Sequence, residues 1–214
     1  MELHNFFNSS TSYRTRIALA LKGVAFDYVG VNIRTGEHRD AGFVDRINPS
    51  AAVPALVDGD FSLGQSLAII DWLDACYPNP RLIPADPQLR ARVLELSYLI
   101  SCDIHPVNNL RVLRYLEQVV HVTAEQRREW YAHWVAEGMA GVERLLGKYG
   151  RGPWCFGDAP TLADCCLVPQ MANALRMGCD LDRYPLSLAV FRHAAAHPAF
   201  VAAQPAAQPD FVAG

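Results

Sequence analysis

Ser9-Ser10-Thr11-Ser12-Tyr13-Arg14-Thr15-Arg16-Ile17-Ala18-Leu19-Ala20-Leu21-Lys22 decides how this chain is read. Four hydroxyl side chains lead directly into an apolar run of helical character, and hydroxyls at a helix start can serve its unpaired backbone amides. An ordinary first turn adds Asp or Glu, which the positive end of the helix dipole favours. Here no carboxylate occurs from Leu3 to Phe26, and Arg14, Arg16 and Lys22 are cations. The helix start is therefore open to an anion from outside the chain: a phosphate, a carboxylate or a thiolate. Simple N-capping is the competing explanation of the serines.

Outward from this stretch, strand-like and helix-like segments alternate. Glu2–Asn8 is short and partly apolar, Thr11–Gly23 is helical, Phe26–Ile33 is of β type, and a polar helical stretch lies near Glu37–Ile47. Ala55-Leu56-Val57 and Phe61-Ser62-Leu63 flank the turn Asp58-Gly59-Asp60, and a helix runs from Gln65 to Tyr77. The βαβαββα order fits a small mixed sheet covered by helices. Pro78, Pro80, Pro84 and Pro87 then mark a linker. Beyond it the period is helical, with Leu89, Val93, Leu96 and Ile100 in one stripe and Trp130, Trp134 and Val135 in another helix. Thr161-Leu162-Ala163-Asp164 resembles a capping box, and the Ala-, Pro- and Gln-rich final residues are expected to be an irregular tail. The expected division is residues 1–80, a linker at 81–87, and an all-helical domain over 88–214.

Composition excludes several classes. With 214 residues, 51% of them hydrophobic, the chain can build packed cores. Its formal charge of −3, with no basic block, argues against a nucleic-acid surface. The absence of a long apolar run argues against a signal peptide or membrane span, so a cytoplasmic location is expected. Cys76, Cys102, Cys155, Cys165, Cys166 and Cys179 have no C-x-x-C spacing and are expected to be buried thiols. His193 and His197 have the spacing of a helical metal pair but surround three alanines and precede Pro198, so no metal site is expected.

Further motifs join the opening one: Val53-Pro54-Ala55-Leu56, Gln65-Ser66-Leu67-Ala68-Ile69-Ile70, Leu162-Ala163-Asp164 with Leu167-Val168-Pro169-Gln170, and Gln208-Pro209-Asp210. In this order they resemble the zeta-class glutathione transferases, the family that includes maleylacetoacetate isomerase and the maleylpyruvate isomerases. The resemblance covers nearly the whole chain. It implies a glutathione transferase fold of α/β plus all-α class: a thioredoxin-like N-terminal domain, an all-helical C-terminal domain, glutathione in the cleft between them, and a homodimer.

The resemblance also implies roles. The thiol of glutathione is expected at the opening motif, with Ser10 as the favoured donor, Ser9, Thr11 and Ser12 as alternatives, and Arg14 nearby. A free thiol has a pKa near 8.5, which hydroxyl donors and a helix N-terminus can lower. Gln65 and Ser66 suit the γ-glutamyl carboxylate, Val53 suits the cysteinyl unit if Val53-Pro54 is cis, and His38 or Arg39 suits the glycyl carboxylate. His105, Asn109 and Arg111 are further candidates for glutathione. Where the family commonly has Cys this chain has Thr11, so any nucleophilic sulfur must come from glutathione. The family chemistry is addition of the thiolate to a maleyl double bond, rotation, and elimination. Arg176, with Asn108, Arg111 and Asn8, is expected to hold the substrate, because a guanidinium grips a carboxylate by two hydrogen bonds. His105 stands where the family often has Gln; it is a departure toward the maleylpyruvate branch and a candidate proton relay. Asn8, neutral where some maleylpyruvate relatives carry a cation, points the other way. Maleylacetoacetate, in aromatic amino-acid catabolism, is the leading substrate. Maleylpyruvate and small α-halo acids are the alternatives.

Overall fold

The computed structural model describes residues 1–212. They form two compact units, Met1–Ile83 together with the segment from Ala195 onward, and Pro84–Ala194.

The first unit is built on four strands, β1 (Glu2–Asn5), β2 (Asp27–Gly30), β3 (Ala55–Asp58) and β4 (Phe61–Gly64), in the order β2-β1-β3-β4. β1 and β2 are parallel, which requires a crossover, and α1 (Ser10–Lys22) provides it. β3 runs antiparallel to both β1 and β4, and Gly59, at φ +61°, takes the left-handed conformation that the tight β3–β4 turn demands. Leu3 lies opposite Tyr28 on one side and Leu56 on the other. Leu3, Leu19, Leu56, Ile69 and Leu73 form one buried cluster, which joins the sheet to α1 and to α3 (Ser66–Cys76). The polar stretch near residue 40 is a 3-10 turn, Glu37–Arg39, followed by α2 (Ala41–Arg46).

The C-terminal end of α1 is tied to the segment that follows α3. Lys22 Nζ donates to Asp74 Oδ1 at 2.7 Å, to the Tyr77 carbonyl at 2.7 Å and to the Pro80 carbonyl at 2.9 Å. Asp74 also accepts from the amides of Leu82 and Ile83. A buried carboxylate so placed needs this many donors to offset its lost hydration.

The second unit is helical: α4 (Pro87–Tyr98), α5 (Leu110–Gln118), α6 (Ala124–Tyr149), α7 (Leu162–Arg176) and α8 (Pro185–Ala194). The expected stripe from Leu89 to Ile100 does not stay α-helical to Pro106. It widens to a π-helical segment, Leu99–Ile104, before a 3-10 turn at Pro106–Asn108. Gly138 of α6 makes room for this: a Cβ there would lie 2.1 Å from Ile104 Cγ1. The capping box of α7 is present. Asp164, fully buried, accepts from the Thr161 amide at 2.8 Å, the Thr161 hydroxyl at 2.9 Å and the Cys155 amide at 2.8 Å. Burial pushes its carboxyl up, and these donors oppose the shift.

Three expectations change. The division into 1–80, 81–87 and 88–214 misplaces the end of the chain, because the segment from Ala195 onward folds with the first unit. That segment is no irregular tail: it contains α9 (Pro198–Ala203) and a 3-10 turn, Pro205–Ala207, and α9 packs on α1. The cysteines are all free, but only Cys155, Cys165 and Cys166 are buried; Cys76 and Cys102 are exposed. Among the described residues no helix is long and apolar enough to cross a membrane.

Candidate active site

Helix α1 begins one residue earlier than its apolar pattern suggests, and this makes Ser9 the N-cap. Its backbone is extended, at φ −83° and ψ 120°, and its Oγ accepts from the Ser12 amide at 3.2 Å. Ser9 Oγ and Thr11 Oγ1 lie 2.9 Å apart, and Thr11 donates its proton to the Val53 carbonyl at 3.1 Å. A hydroxyl has one proton, so with Thr11's committed to Val53, Ser9 is the donor of the Ser9–Thr11 pair. Ser9 and Thr11 are half-buried. Ser10 is only 7% exposed, and Ser12 is fully buried, accepting from the Phe6 amide. The structure thus moves the accessible hydroxyl from Ser10, the residue the sequence favours, to Ser9.

The Val53–Pro54 bond is cis. Close in sequence, Gln65 takes φ +66°, a region that non-glycine side chains rarely enter and that marks functional positions more often than others. It precedes Ser66, the first residue of α3. Arg14 Nη1 donates to Ser66 Oγ at 3.0 Å, and Arg14 is 2% exposed, so the covered guanidinium polarises that hydroxyl. Because Ser66 Oγ accepts from Arg14, its own proton is left to donate outward, beside the unpaired amides of the first turn of α3. Arg16 does not face this region: it is 2% exposed and its guanidinium is spent on the Ala203, Phe6 and Phe7 carbonyls and on Asn5 Oδ1. His38 is buried in its 3-10 turn, whereas Arg39 is exposed and Asn8 half-buried.

The candidates of the helical unit gather where α4 gives way to α5. Asn109 caps α5, its Oδ1 accepting from the Arg111 amide at 3.1 Å, which turns its Nδ2 toward His105 Nε2 at 3.2 Å. His105 Nε2 is then an acceptor and the ring proton sits on Nδ1. Asn108 does not join this group: its Nδ2 donates to the Tyr131 carbonyl at 3.1 Å. Arg111 and Arg176 are exposed. Arg176 closes the last turn of α7, is held to Asn173 Oδ1 at 3.2 Å, and its charge acts on Tyr131. Burial outweighs that charge and pushes the Tyr131 phenol up to about 12.

No cluster of three metal-ligating side chains occurs among the described residues. His193 packs edge-on against Trp154, while His197 Nδ1 caps α9 by accepting from the Ala199 amide. Asp210, to which the sequence pattern assigns no role, accepts from the Phe7 amide in the loop before Ser9, and Tyr28 donates to Asp210. The signal for Asp210 is its place in the Gln208-Pro209-Asp210 motif.

The sequence pattern described as "Glutathione S-transferase, N-terminal domain" matches residues 8–76, which define the class of this fold and site. The chain is 48% identical to a maleylacetoacetate isomerase of Pseudomonas aeruginosa over 213 residues, 98% of each chain. It superposes with a TM-score of 0.96 on a holo maleylpyruvate isomerase described as a bacterial zeta-class glutathione transferase, at 46% identity over 99% of this chain and 100% of that one. A maleylacetoacetate isomerase of Methylobacterium extorquens AM1 with bound malonate and glutathione gives a TM-score of 0.95 at 33% identity, covering both chains completely. The chain belongs to the zeta-class glutathione transferases, the family of the maleylacetoacetate and maleylpyruvate isomerases.

Proposed function

We propose that this chain is a glutathione-dependent cis-trans isomerase of maleyl-type acids, with maleylacetoacetate as its substrate. The observation that carries the reading is the hydrogen-bond series at the start of α1, from the Ser12 amide to Ser9, from Ser9 to Thr11, and from Thr11 to the Val53 carbonyl. Bound glutathione supplies a thiolate that adds to the maleyl double bond and leaves after rotation about the resulting single bond.

The residues of the chain prepare and orient the reactants. Rotation of the Ser9 hydroxyl redirects its donated hydrogen bond from Thr11 to an incoming anion, which then gains a charge-assisted hydrogen bond at the positive end of α1. Both effects pull a thiol below its free pKa near 8.5. Ser66, polarised by Arg14, offers hydroxyl and amide to the γ-glutamyl carboxylate beside Gln65. The Val53 backbone pairs with the cysteinyl unit, and His38 or Arg39 meets the glycyl carboxylate. In the helical unit His105, Asn109 and Arg111 contribute to glutathione, and Arg176 holds the substrate carboxylate. With Nε2 engaged by Asn109, His105 acts by hydrogen bonding before it acts as a proton relay. A homodimer in the cytoplasm completes the reading, and sedimentation of the purified chain tests the dimer.

Parallel turnover of maleylacetoacetate and maleylpyruvate, each with and without glutathione, tests the function. The expected result is turnover only with glutathione, glutathione recovered undiminished, and a larger kcat/KM for maleylacetoacetate. Equal rates without glutathione overturn it, and net loss of glutathione points to transferase chemistry instead. Maleylpyruvate is the second reading, favoured by His105 and by the 0.96 TM-score to a maleylpyruvate isomerase; a larger kcat/KM for that acid selects it.

A further inference from the structure

The connection from β1 to Ser9 is three residues long, and the backbone groups of Phe6 and Phe7 in it have identifiable partners. The Phe6 amide donates to Ser12 Oγ at 3.4 Å, and the Phe6 carbonyl accepts from the Ser9 amide at 3.1 Å and from Arg16 at 3.3 Å. The Phe7 carbonyl accepts from Arg16 at 3.0 Å. The Phe7 amide donates to Asp210 Oδ2 at 3.1 Å, across 203 positions of sequence. Asp210 Oδ1 accepts in turn from the Tyr28 hydroxyl, and the Phe211 ring meets the Phe7 ring edge-on at 5.5 Å. Arg16, which also donates to Ala203 of α9, ties the same connection to the C-terminal segment a second time. Burial pushes its guanidinium down to about 10 and the neighbouring Tyr28 and Asp210 act the other way, so it stays charged at neutral pH.

We propose that Asp210 is a positioning residue for catalysis: by holding the Phe7 amide, with Tyr28 as its own anchor, it fixes where the N-cap Ser9 presents its hydroxyl. The proposal rests on the reading of Ser9 as the donor to the glutathione thiol. Burial and the Asp210 hydrogen bond both push the Tyr28 phenol up, so this anchor stays a donor throughout the working pH range. A donor displaced by a fraction of an ångström loses much of its effect on a nearby charge, because hydrogen bonds weaken steeply with distance and angle.

The test uses the full chain with Asp210→Ala, Asp210→Asn and Tyr28→Phe. The pKa of the enzyme-bound glutathione thiol is read from ultraviolet thiolate absorbance, alongside kcat and the KM for the maleyl acid. Asp210→Ala is expected to raise the bound-thiol pKa by about one unit and to lower kcat at neutral pH by up to about tenfold, the limit reached where the bound thiol is mostly protonated. The KM for the maleyl acid is expected to stay within twofold. Asp210→Asn, which keeps a carbonyl for the Phe7 amide, is expected to recover most of the loss, and Tyr28→Phe to lower kcat about threefold. A folded Asp210→Ala enzyme with an unshifted thiol pKa overturns the proposal, even if its melting temperature falls. If Asp210→Ala does not fold, Tyr28→Phe decides in the same way. Ser9→Gly in the same assay separates the two ideas. A shift with Ser9→Gly but none with Asp210→Ala removes only the positioning role, whereas no shift in either removes the Ser9 reading.

Discussion

The start of α1 and the end of α7 hold their candidate groups in different ways. In the first unit, the groups at the starts of α1 and α3 are fixed by a neighbour's backbone or by a buried partner: Ser9 by the Ser12 amide, Thr11 by the Val53 carbonyl, Ser66 by Arg14. In the second unit, Asn109 holds His105 and Tyr131 holds Asn108, but the cations Arg111 and Arg176 are exposed, and Arg176 has a side-chain hydrogen bond to Asn173 within its own helix. Such wiring suits recognition of one invariant molecule at near-fixed geometry. Long, solvated arginines suit acids that share a carboxylate and differ elsewhere. On the proposed reading, the wired groups of the first unit serve the thiol and γ-glutamyl carboxylate of glutathione, and Arg176 of the second serves the substrate carboxylate.

Four measurements can break or sharpen this contrast. The largest effect is expected from Asp74→Ala, which leaves Lys22 buried without its anion and the Leu82 and Ile83 amides without an acceptor. Denaturant titration read by hydrogen exchange of α1 should show a loss of about 3–5 kcal/mol. A loss under about 1 kcal/mol means that the first unit is not held as tightly as its contacts imply. Next comes Ser9→Gly, since glycine keeps the cap conformation to within a few tenths of a kcal/mol and removes only the hydroxyl. It should lower kcat/KM about 10²-fold, while Ser10→Ala stays within threefold; the reverse order restores Ser10 as the donor. Arg176→Gln should raise the KM for the maleyl acid about tenfold, in keeping with a hydrogen bond to a charged group, and leave the KM for glutathione unchanged. A rise in the glutathione KM instead erases the division of labour.

The smallest effect compares the units through matched probes. Burial pushes the phenols of Tyr13 in α1 and Tyr131 in α6 up to about 12 from 10.0. A raised folded-state pKa means that their contribution is complete below pH 10 and is lost as pH rises through about 12. Alkaline unfolding should therefore steepen in that window, and Tyr13→Phe and Tyr131→Phe should flatten it to similar extents. A change confined to one variant shows that the two interiors differ in how strictly they exclude charge.

Much of this was legible in the residues. Helix starts are written locally, in hydroxyls and prolines, and so the order of strands and helices and the capping box at Thr161 and Asp164 follow from pattern. The choice between Ser9 and Ser10 depends on a one-residue boundary that hydrophobic period cannot resolve. The close approach of the π-helical segment to α6 depends on Gly138, a residue of another helix. The C-terminal segment has no hydrophobic rhythm of its own; it is ordered by partners such as Arg16 and Phe7 that lie at the far end of the sequence.

That last arrangement has a consequence for synthesis. Arg16 and Phe7 leave the ribosome long before Ala203 and Asp210, with the whole of Pro84–Ala194 made in between. Domains ordinarily mature in the order of translation. Here the N-terminal unit must wait, with Arg16 lacking one of its four acceptors and the Phe7 amide still unserved, until the helical unit has been made and the final segment returns to it.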